Sequence, residues 1–442
     1  MLNRFASALI IAVASVTSTL AQSPSGKVTV VTSFSKDLTD PFKKAFEKVT
    51  PGVTLDVQSR NTTAGVKYLE ETRAKPQADL FWASAPDAFE VLKAKGLLQI
   101  HKPSTEGIPE KIGAYPINDP QGFYFGFAAS GYGIMWNTRY VEANRLPVPK
   151  EWADLARPEF FDHVSIAAPS RSGTTHLTIE TILQGEGWEK GWRTLKEMSG
   201  NMRQISDRSF GVPDAVNSGQ IGYGVVIDFF AFAAEAAGFP VKFVYPSVTT
   251  IVPANVGIVA NAPNPDAAKA FVAFLLSPAG QELLLDPKVR RLPVNPAIYA
   301  KAPKDYPNPF TNPALGANVT FDSQLSSKRS AVVSALFDQI VTFELEGLKA
   351  ATKAIHVAEA AYAKKNDTKA HALLQEARSL IAAIPFSDAE AASDDIAAAF
   401  TPTADKKPSV RQAELERNWA AFAKERHASA KAKADEALKL VK

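Results

Sequence analysis

The chain has 442 residues, 46% of them hydrophobic and 21% charged, with a formal net charge of +3 and no cysteine. A single core stops growing near ~250–300 residues, so this length predicts at least two structural lobes. The small charge surplus, without runs of Lys and Arg interleaved with aromatics, argues against binding to nucleic acid or a lipid surface. The lack of cysteine excludes disulfides, thiolate metal sites and a lipid-modified N-terminal cysteine.

The first 21 residues have the pattern of a secretory signal. Arg4 precedes an apolar stretch at 5–16, and Thr19 and Ala21 have the spacing that a signal peptidase accepts. The apolar stretch is shorter than the about 20 residues that cross a bilayer. We therefore expect a periplasmic protein, cleaved after residue 21 and released without a membrane anchor.

Strand-like and helix-like segments alternate after this signal. The predicted strands are 27–34, 53–57 and 78–83, and the predicted helices are 40–49, 64–74 and 86–95. This alternation predicts an α/β fold with a mainly parallel sheet. The ligand crevice of such a sheet lies beyond the carboxyl ends of its strands, and here all three ends are rich in small polar residues.

A glycine-broken apolar strand at 131–137 predicts a crossover into a second lobe. That lobe has predicted strands at 164–168, 222–227 and 242–245, and predicted helices from 151 and at 174–184, 188–198 and 212–218. Residues 252–259 contain Pro253 and Gly257 and predict the return crossover. We therefore define a first lobe as residues 27–130 plus about 253–325 and a second lobe as residues 131–252.

Residues 326–442 predict a helical extension. Ala-, Lys- and Glu-rich amphipathic segments occupy 328–363, 369–384 and 410–440. We expect the extension to buttress the first lobe, and docking to a membrane partner is the alternative.

The segment 168–176 lies between a predicted strand and a predicted helix and resembles an anion-binding turn. A helix start exposes unpaired N–H groups and the positive end of the helix dipole, and glycine permits close approach of the main chain. Arginine adds a bidentate contact to phosphate or carboxylate. Ordinary capping of the helix by a hydroxyl is the alternative. The candidate ligand-binding residues are Ser170, Arg171, Ser172, Gly173, Thr174 and Thr175.

Two further candidates lie nearby in sequence. Asp228 ends an apolar strand and offers a carboxylate to a ligand hydroxyl or ammonium, and an equally good explanation is that it caps the next helix. Ser209 lies with Arg208 and Phe210 on a loop that opens another helix and is a weaker candidate.

Enzyme signatures are weak. The six histidines are scattered without metal-ligand spacing, and neither a phosphate loop nor a dinucleotide fingerprint is present, so we expect no metal and no cofactor. A Ser170 or Ser172 nucleophile with His176 as its base defines a periplasmic serine hydrolase as an alternative, but its third partner and oxyanion hole are unaccounted for. We expect a binding protein and not an enzyme.

Several segments in order along the chain resemble the periplasmic substrate-binding proteins of ABC importers. These segments are 27–34, 78–84, 131–137, 170–176 and 276–281. The resemblance implies the two-lobe type II fold, with hinge crossovers and lobes that close on a ligand. It also implies a monomer that delivers its solute to an ABC permease or presents it to a sensor kinase.

Within this family the residues favour an anionic organic ligand. Ferric-iron binders have adjacent tyrosines near the position of Asp228, where this chain has Phe229 and Phe230, and phenylalanine cannot ligate iron. Segments 170–176 and 290–294 are more similar to the phosphoglycerate and sugar-phosphate branch, which implies a phosphorylated metabolite or phosphonate. The same resemblance implies ligand contacts from the opposite lobe through Ser33, Ser35 and Ser84. Binding of iron, another metal or a carboxylate is the alternative.

Overall fold

The computed structural model describes residues 24–442 except 114, 305, 313–314, 316–317 and 402–406, so the predicted signal lies outside the described residues. The strands are β1 (Gly26–Thr32), β2 (Val53–Ser59), β3 (Leu80–Ala83), β4 (Lys111–Ile112), β5 (Tyr115–Pro116), β6 (Phe125–Asn137), β7 (Val164–Ala167), β8 (Met202–Ser206), β9 (Tyr223–Ile227), β10 (Val241–Val244), β11 (Ile251–Ile258) and β12 (Leu292–Pro293).

The helices fall into two groups. Those of the lobes are α1 (Lys36–Val49), α2 (Thr62–Glu71), α3 (Pro86–Ala94), α4 (Thr138–Ala143), α5 (Gly173–Glu186), α6 (Trp188–Ser199), α7 (Gly211–Asn217), α8 (Asp228–Ala236), α9 (Pro265–Leu276) and α10 (Pro278–Glu282). Those at the C-terminal end are α11 (Ser323–Phe337), α12 (Leu345–Tyr362), α13 (Thr368–Ala382), α14 (Asp388–Ala391), α15 (Asp394–Ala399) and α16 (Val410–Val441).

Two parallel blocks of strands are joined by long antiparallel strands. The strand order is β2-β1-β3-β11-β6-β9-β7-β8, with β10 and β12 also beside β6. β1 runs parallel to β2 and β3, and β7 runs parallel to β8 and β9. β6 pairs with β11 through residues 125–131 and with β9 through residues 132–136, so one continuous strand serves both blocks. The predicted α/β class and mainly parallel sheets are confirmed, and the exact lobe boundaries stay a prediction.

An aromatic cluster fills the first lobe between its strands and the covering helices α1 and α9. Its rings pack at centroid distances of 5.1–6.5 Å, mostly edge to face. The members are Phe42, Phe46, Trp82, Phe127, Phe271 and Phe274. Burial of each such ring stabilises the lobe by about 1.5–3 kcal/mol. Among the described residues, no single helix is long and apolar enough to cross a bilayer; only the bent pair Pro265–Leu276 and Pro278–Leu285 meets that test jointly.

The helical extension packs mainly on the second lobe. The α12 and α13 helices lie against α6, and the Trp188 indole N–H donates to the Phe386 carbonyl at 2.8 Å. Only α11 also contacts α3 of the first lobe. The expectation that the extension buttresses the first lobe therefore holds for α11, whereas α12 and α13 cover the second lobe. The physical reason is α5, in which residues 175–183 are all buried, because a helix that is buried on every side needs a second covering layer.

Some predicted elements differ in detail. The predicted helix 328–363 is two helices, α11 and α12, separated by a π-helical turn at Asp338–Thr342. The helix expected from 151 is the short 3₁₀ turn Trp152–Ala156. Strand β8 was missed because it is partly exposed and its polar residues, such as Arg203, conceal the strand pattern.

Candidate ligand-binding cleft

A narrow cleft lies between the lobes, beyond the carboxyl ends of the parallel strands. Both lobes contribute hydroxyls, guanidinium groups and phenyl rings, and Asn61 of the first lobe adds an amide. The lining residues are Ser33, Phe34, Ser35, Asn61, Thr62, Ser84, Arg171, Ser172, Thr174, Arg208, Ser209, Phe210, Phe229, Phe230 and Arg291.

Most of the candidates named from the sequence lie at this cleft. Those in its lining are Ser33, Ser35, Ser84, Arg171, Ser172, Thr174 and Ser209. The remaining candidates, Ser170, Gly173, Thr175 and Asp228, are outside the lining and have contacts of another kind. The polar residues at the strand ends thus lie at the cleft, although not every hydroxyl near the cleft faces the cavity.

The turn at 169–175 is both a helix cap and part of the cleft wall. A 3₁₀ turn at Pro169–Arg171 leads into α5, with Ser172 at the N-cap. The Ser172 hydroxyl accepts hydrogen bonds from the Thr175 N–H and the Thr175 hydroxyl, each at 3.1 Å. The capping explanation therefore holds for Ser172, whereas Thr174 lines the cavity.

Gly173 and Ser170 hold the lobes together. A Cβ atom at Gly173 would lie 2.9 Å from Ala85 Cβ and 3.0 Å from Thr62 Cγ2, both across the cleft. The Thr63 hydroxyl donates to the Ser170 carbonyl at 3.2 Å. The glycine therefore permits close approach of the opposite lobe, which differs from the expected approach to a ligand.

Asp228 is fully buried, and its hydrogen bonds are internal. Its carboxylate accepts from the Gly131 N–H at 2.7 Å, the Tyr245 hydroxyl at 2.8 Å and the Phe229 N–H at 2.7 Å. Burial raises the pKa of Asp228 to about 6, and these hydrogen bonds oppose the shift. Asp228 is the first residue of α8 and not its cap, since Ile227 occupies the cap position. Its carboxylate therefore ties β6 to α8.

Arg291 is the principal cleft residue that the sequence-based list missed. Its side chain is 1% exposed, and its guanidinium lies 3.5 Å from the ring centre of Phe229 in one lobe and 4.5 Å from that of Phe34 in the other. Nη1 donates to the Ser84 hydroxyl at 2.9 Å. Within the described part of the chain, Nε has no hydrogen-bond partner and no carboxylate forms an ion pair with this guanidinium.

The charge of Arg291 is only partly compensated. Burial lowers the pKa of Arg291 to about 9, and the Asp228 carboxylate opposes this shift, so the side chain remains a cation at neutral pH. The only sequence signal was the pair Arg290–Arg291 before an apolar strand. Its position in the cleft depends on the pairing of β12 with β6, which no local pattern reveals.

Asn61, which the sequence-based list did not include, and the two other arginines of the lining lie at its edge. Asn61 caps α2, and its side-chain oxygen accepts from the Ala64 N–H at 2.7 Å. The Arg208 guanidinium lies 4.8 Å from the ring centre of Phe210. Arg171 is half-exposed and pairs with the exposed Asp207. These two arginines are exposed to solvent, unlike Arg291.

His176 does not face the cleft serines. Its Nε2 lies 3.2 Å from the Ser326 hydroxyl and 3.4 Å from Asp87 Oδ2, in a buried junction. The Ser172 hydroxyl hydrogen-bonds Thr175 within the helix cap, whereas the His176 ring contacts Ser326. The serine hydroxyl and the histidine ring of the alternative hydrolase therefore have different partners. Among the described residues, no group of three or more His, Cys, Asp or Glu side chains is placed to hold a metal ion.

A family model described as "Bacterial extracellular solute-binding protein" matches residues 75–314. The phosphoglycerate transport regulatory protein PgtC of Salmonella typhimurium is 31% identical over 375 residues, covering 85% of this chain and 89% of PgtC. The chain therefore belongs to the bacterial extracellular solute-binding proteins. This assignment confirms the family resemblance found in the sequence.

Solved structures of solute-binding proteins share the fold. The periplasmic binding protein AfuA from Actinobacillus pleuropneumoniae, with fructose-6-phosphate bound, superposes with a TM-score of 0.60 at 20% identity, covering 73% of this chain and 96% of AfuA. The apo ferric ion-binding protein A of Pasteurella haemolytica gives 0.57 at 17% identity, covering 72% and 98%. The type II two-lobe fold is thus confirmed. Membership of the family places this solute-binding protein in the periplasm and implies delivery to an ABC permease.

Proposed function

We propose that this solute-binding protein captures a small organic anion, a phosphorylated metabolite or phosphonate, by closing its two lobes around it. The observation that carries the proposal is the buried Arg291 guanidinium, which no carboxylate pairs with among the described residues. An unpaired buried charge is costly, and an anion that reaches it offsets the cost. Because the guanidinium lies between Phe34 and Phe229, the site is complete only when both lobes contribute.

The remaining lining supports a phosphate-like group. Hydroxyls from Ser33, Ser35 and Ser84 on the first lobe and from Thr174 and Ser209 on the second surround the cavity. Oxyanions accept several hydrogen bonds at once, and charge-assisted ones are the strongest. The relative PgtC carries phosphoglycerate in its name, so 3-phosphoglycerate is the first compound to test.

An iron ligand is disfavoured by the same lining. No tyrosine, histidine, aspartate or glutamate occurs among the described residues that line the cleft. Ferric iron needs anionic or imidazole ligands, and the nearby guanidinium groups repel a cation. A plain carboxylate ligand stays as the second candidate, because Arg291 also suits a carboxylate.

Several finer features belong to the same proposal. Residues 1–21 are removed on export, the mature protein is a monomer, and it is not an enzyme. Delivery to a permease is the main role, and presentation to a sensor kinase is the alternative. N-terminal sequencing of protein from the periplasm tests the cleavage site, and light scattering tests the monomer.

A thermal-shift panel tests the proposed ligand class. The panel contains 3-phosphoglycerate, fructose 6-phosphate, a phosphonate, glycerate and Fe(III), added to refolded, ligand-stripped protein. A compound at 100 times its dissociation constant adds roughly 2.7 kcal/mol of stability. We expect a phosphorylated compound or phosphonate to give the largest shift. A shift with glycerate alone would select the carboxylate alternative, and a shift with Fe(III) alone would contradict the proposal.

A further inference from the structure

Helix α11 of the extension lies across both lobes. It packs against α5, whose first turn lines the cleft, and against α3, which begins two residues after the cleft residue Ser84. Any movement of one lobe relative to the other therefore changes the surroundings of α11.

The attachment of α11 to the second lobe is strong. Asp322, the cap of α11, exchanges two hydrogen bonds with Gln184: the Asp322 N–H donates to Oε1 at 2.7 Å, and Nε2 donates to the Asp322 carbonyl at 3.1 Å. About two turns further along, Arg329 pairs with Glu180 at 2.8 Å, and both side chains are buried. A buried ion pair is difficult to break because each partner would be left as an uncompensated charge.

The attachment of α11 to the first lobe consists of packing on α3, one direct hydrogen bond and one indirect link through His176 of α5. The Tyr115 hydroxyl hydrogen-bonds Ser323. The Ser326 hydroxyl meets His176 Nε2, which in turn lies 3.4 Å from Asp87 of α3. This three-residue junction joins the first lobe, the second lobe and the extension, and each of its members is less than 5% exposed.

We propose that α11 is a latch that couples closure of the ligand cleft to the position of the C-terminal helices. This proposal rests on lobe closure as part of the proposed function. Opening separates α3 from α5, and α11 can follow only one of them. The buried Arg329–Glu180 pair keeps it on α5, so the Tyr115–Ser323 hydrogen bond and the packing of α11 on α3 break on opening and form again on closure. Coupling is reciprocal, so weakening the latch weakens ligand binding.

The test compares Ser326→Ala with Thr342→Ala. Ser326→Ala removes the hydroxyl that contacts His176, the neighbour of Asp87 of the first lobe. Thr342→Ala instead removes a hydroxyl that bonds Asp338 inside the π-helical turn. The chain has no cysteine, so spin labels on cysteines placed at the exposed Lys44 and Lys190 report the separation of the lobes. We expect Ser326→Ala to enrich the wider separation without ligand and to weaken binding of 3-phosphoglycerate about five-fold, the effect of one lost hydrogen bond.

Hydrogen exchange supplies a second readout. In the wild type, 3-phosphoglycerate should slow exchange of the α11 amides, and Ser326→Ala should reduce that protection. If Ser326→Ala matches Thr342→Ala in lobe separation, exchange and affinity, the latch is refuted. If the wild type binds none of the phosphorylated compounds, the proposed function fails. The lobe separation of the two variants without ligand still tests the latch in that case. Should Ser326→Ala fail to fold, Tyr115→Phe removes the direct hydrogen bond between the first lobe and α11 and gives the same comparison.

Discussion

Replacement of Gly173 by alanine should weaken ligand binding without weakening the fold. The added Cβ would lie 2.9 Å from Ala85 Cβ and 3.0 Å from Thr62 Cγ2, and both atoms are held close to a backbone. Ala85 Cβ is fixed to the backbone and cannot rotate away, so the lobes must stay slightly apart. Overpacking of this kind costs about 1–3 kcal/mol. If the cost falls on the closed form, affinity decreases about 5- to 150-fold, at 1.4 kcal/mol for each factor of ten.

The free energy of unfolding of the Gly173→Ala variant should rise while its ligand affinity falls. Gly173 is the first residue of α5, and alanine is favoured over glycine in helices by up to about 1 kcal/mol. Isothermal titration with 3-phosphoglycerate measures the affinity, and urea unfolding without ligand measures the stability. Gly347→Ala in α12 is the matched control, since its Cβ would meet its nearest neighbour at an ordinary 3.4 Å. If Gly173→Ala binds as tightly as Gly347→Ala, the close approach of the lobes at this glycine is irrelevant to binding.

Three further predictions concern the cap, the extension and pH. Ser172→Ala should cost about 1 kcal/mol of unfolding free energy through the lost cap, whereas Thr174→Ala should lower ligand affinity at unchanged stability. If the two variants have the same affinity by titration and the same stability by urea unfolding, these separate roles of Ser172 and Thr174 are refuted. Glu180→Gln should cost about 3–5 kcal/mol of unfolding free energy, because Arg329 loses its buried carboxylate partner and keeps only the largely exposed Asp388; adding Arg329→Met should restore part of the loss in urea unfolding, and no recovery would contradict this explanation. Burial lowers the pKa of Lys196 to about 7, so the unfolded chain binds this proton more tightly and stability should rise from about pH 7 to 10. Lys196→Met should remove that rise, and an unchanged pH profile would show that the amine titrates normally.

The sequence predicted best where local pattern and burial agree. Strand β1 has the apolar run expected of a parallel strand covered on both faces, and its carboxyl end leads to Ser33 and Ser35 at the cleft. The start of α5 was also predictable, because a hydroxyl followed by glycine at a strand end is typical of a helix cap.

Prediction failed where a residue's role depends on contacts far along the chain. Arg291 is a cleft cation only because β12 returns to pair with β6, and its partner Ser84 is 207 positions away. The extension lies mainly on the second lobe because the apolar side chains of α5 and α6 need a covering layer. Which of these side chains lack cover depends on the three-dimensional packing and not on the local sequence. Asp228 ends a strand beside the cleft, yet hydrogen bonds to Gly131 and Tyr245 turn its carboxylate inward.

The affinity of an Arg291→Gln variant for 3-phosphoglycerate, measured by isothermal titration, tests the central claim most directly. Arg290→Gln is the matched control, because this neighbouring arginine is outside the cleft lining. Loss of a charge-assisted hydrogen bond costs about 1.5–3 kcal/mol, so we predict a weakening of at least ten-fold for Arg291→Gln and little change for Arg290→Gln. Equal affinity of the two variants would show that the buried guanidinium does not bind the anion.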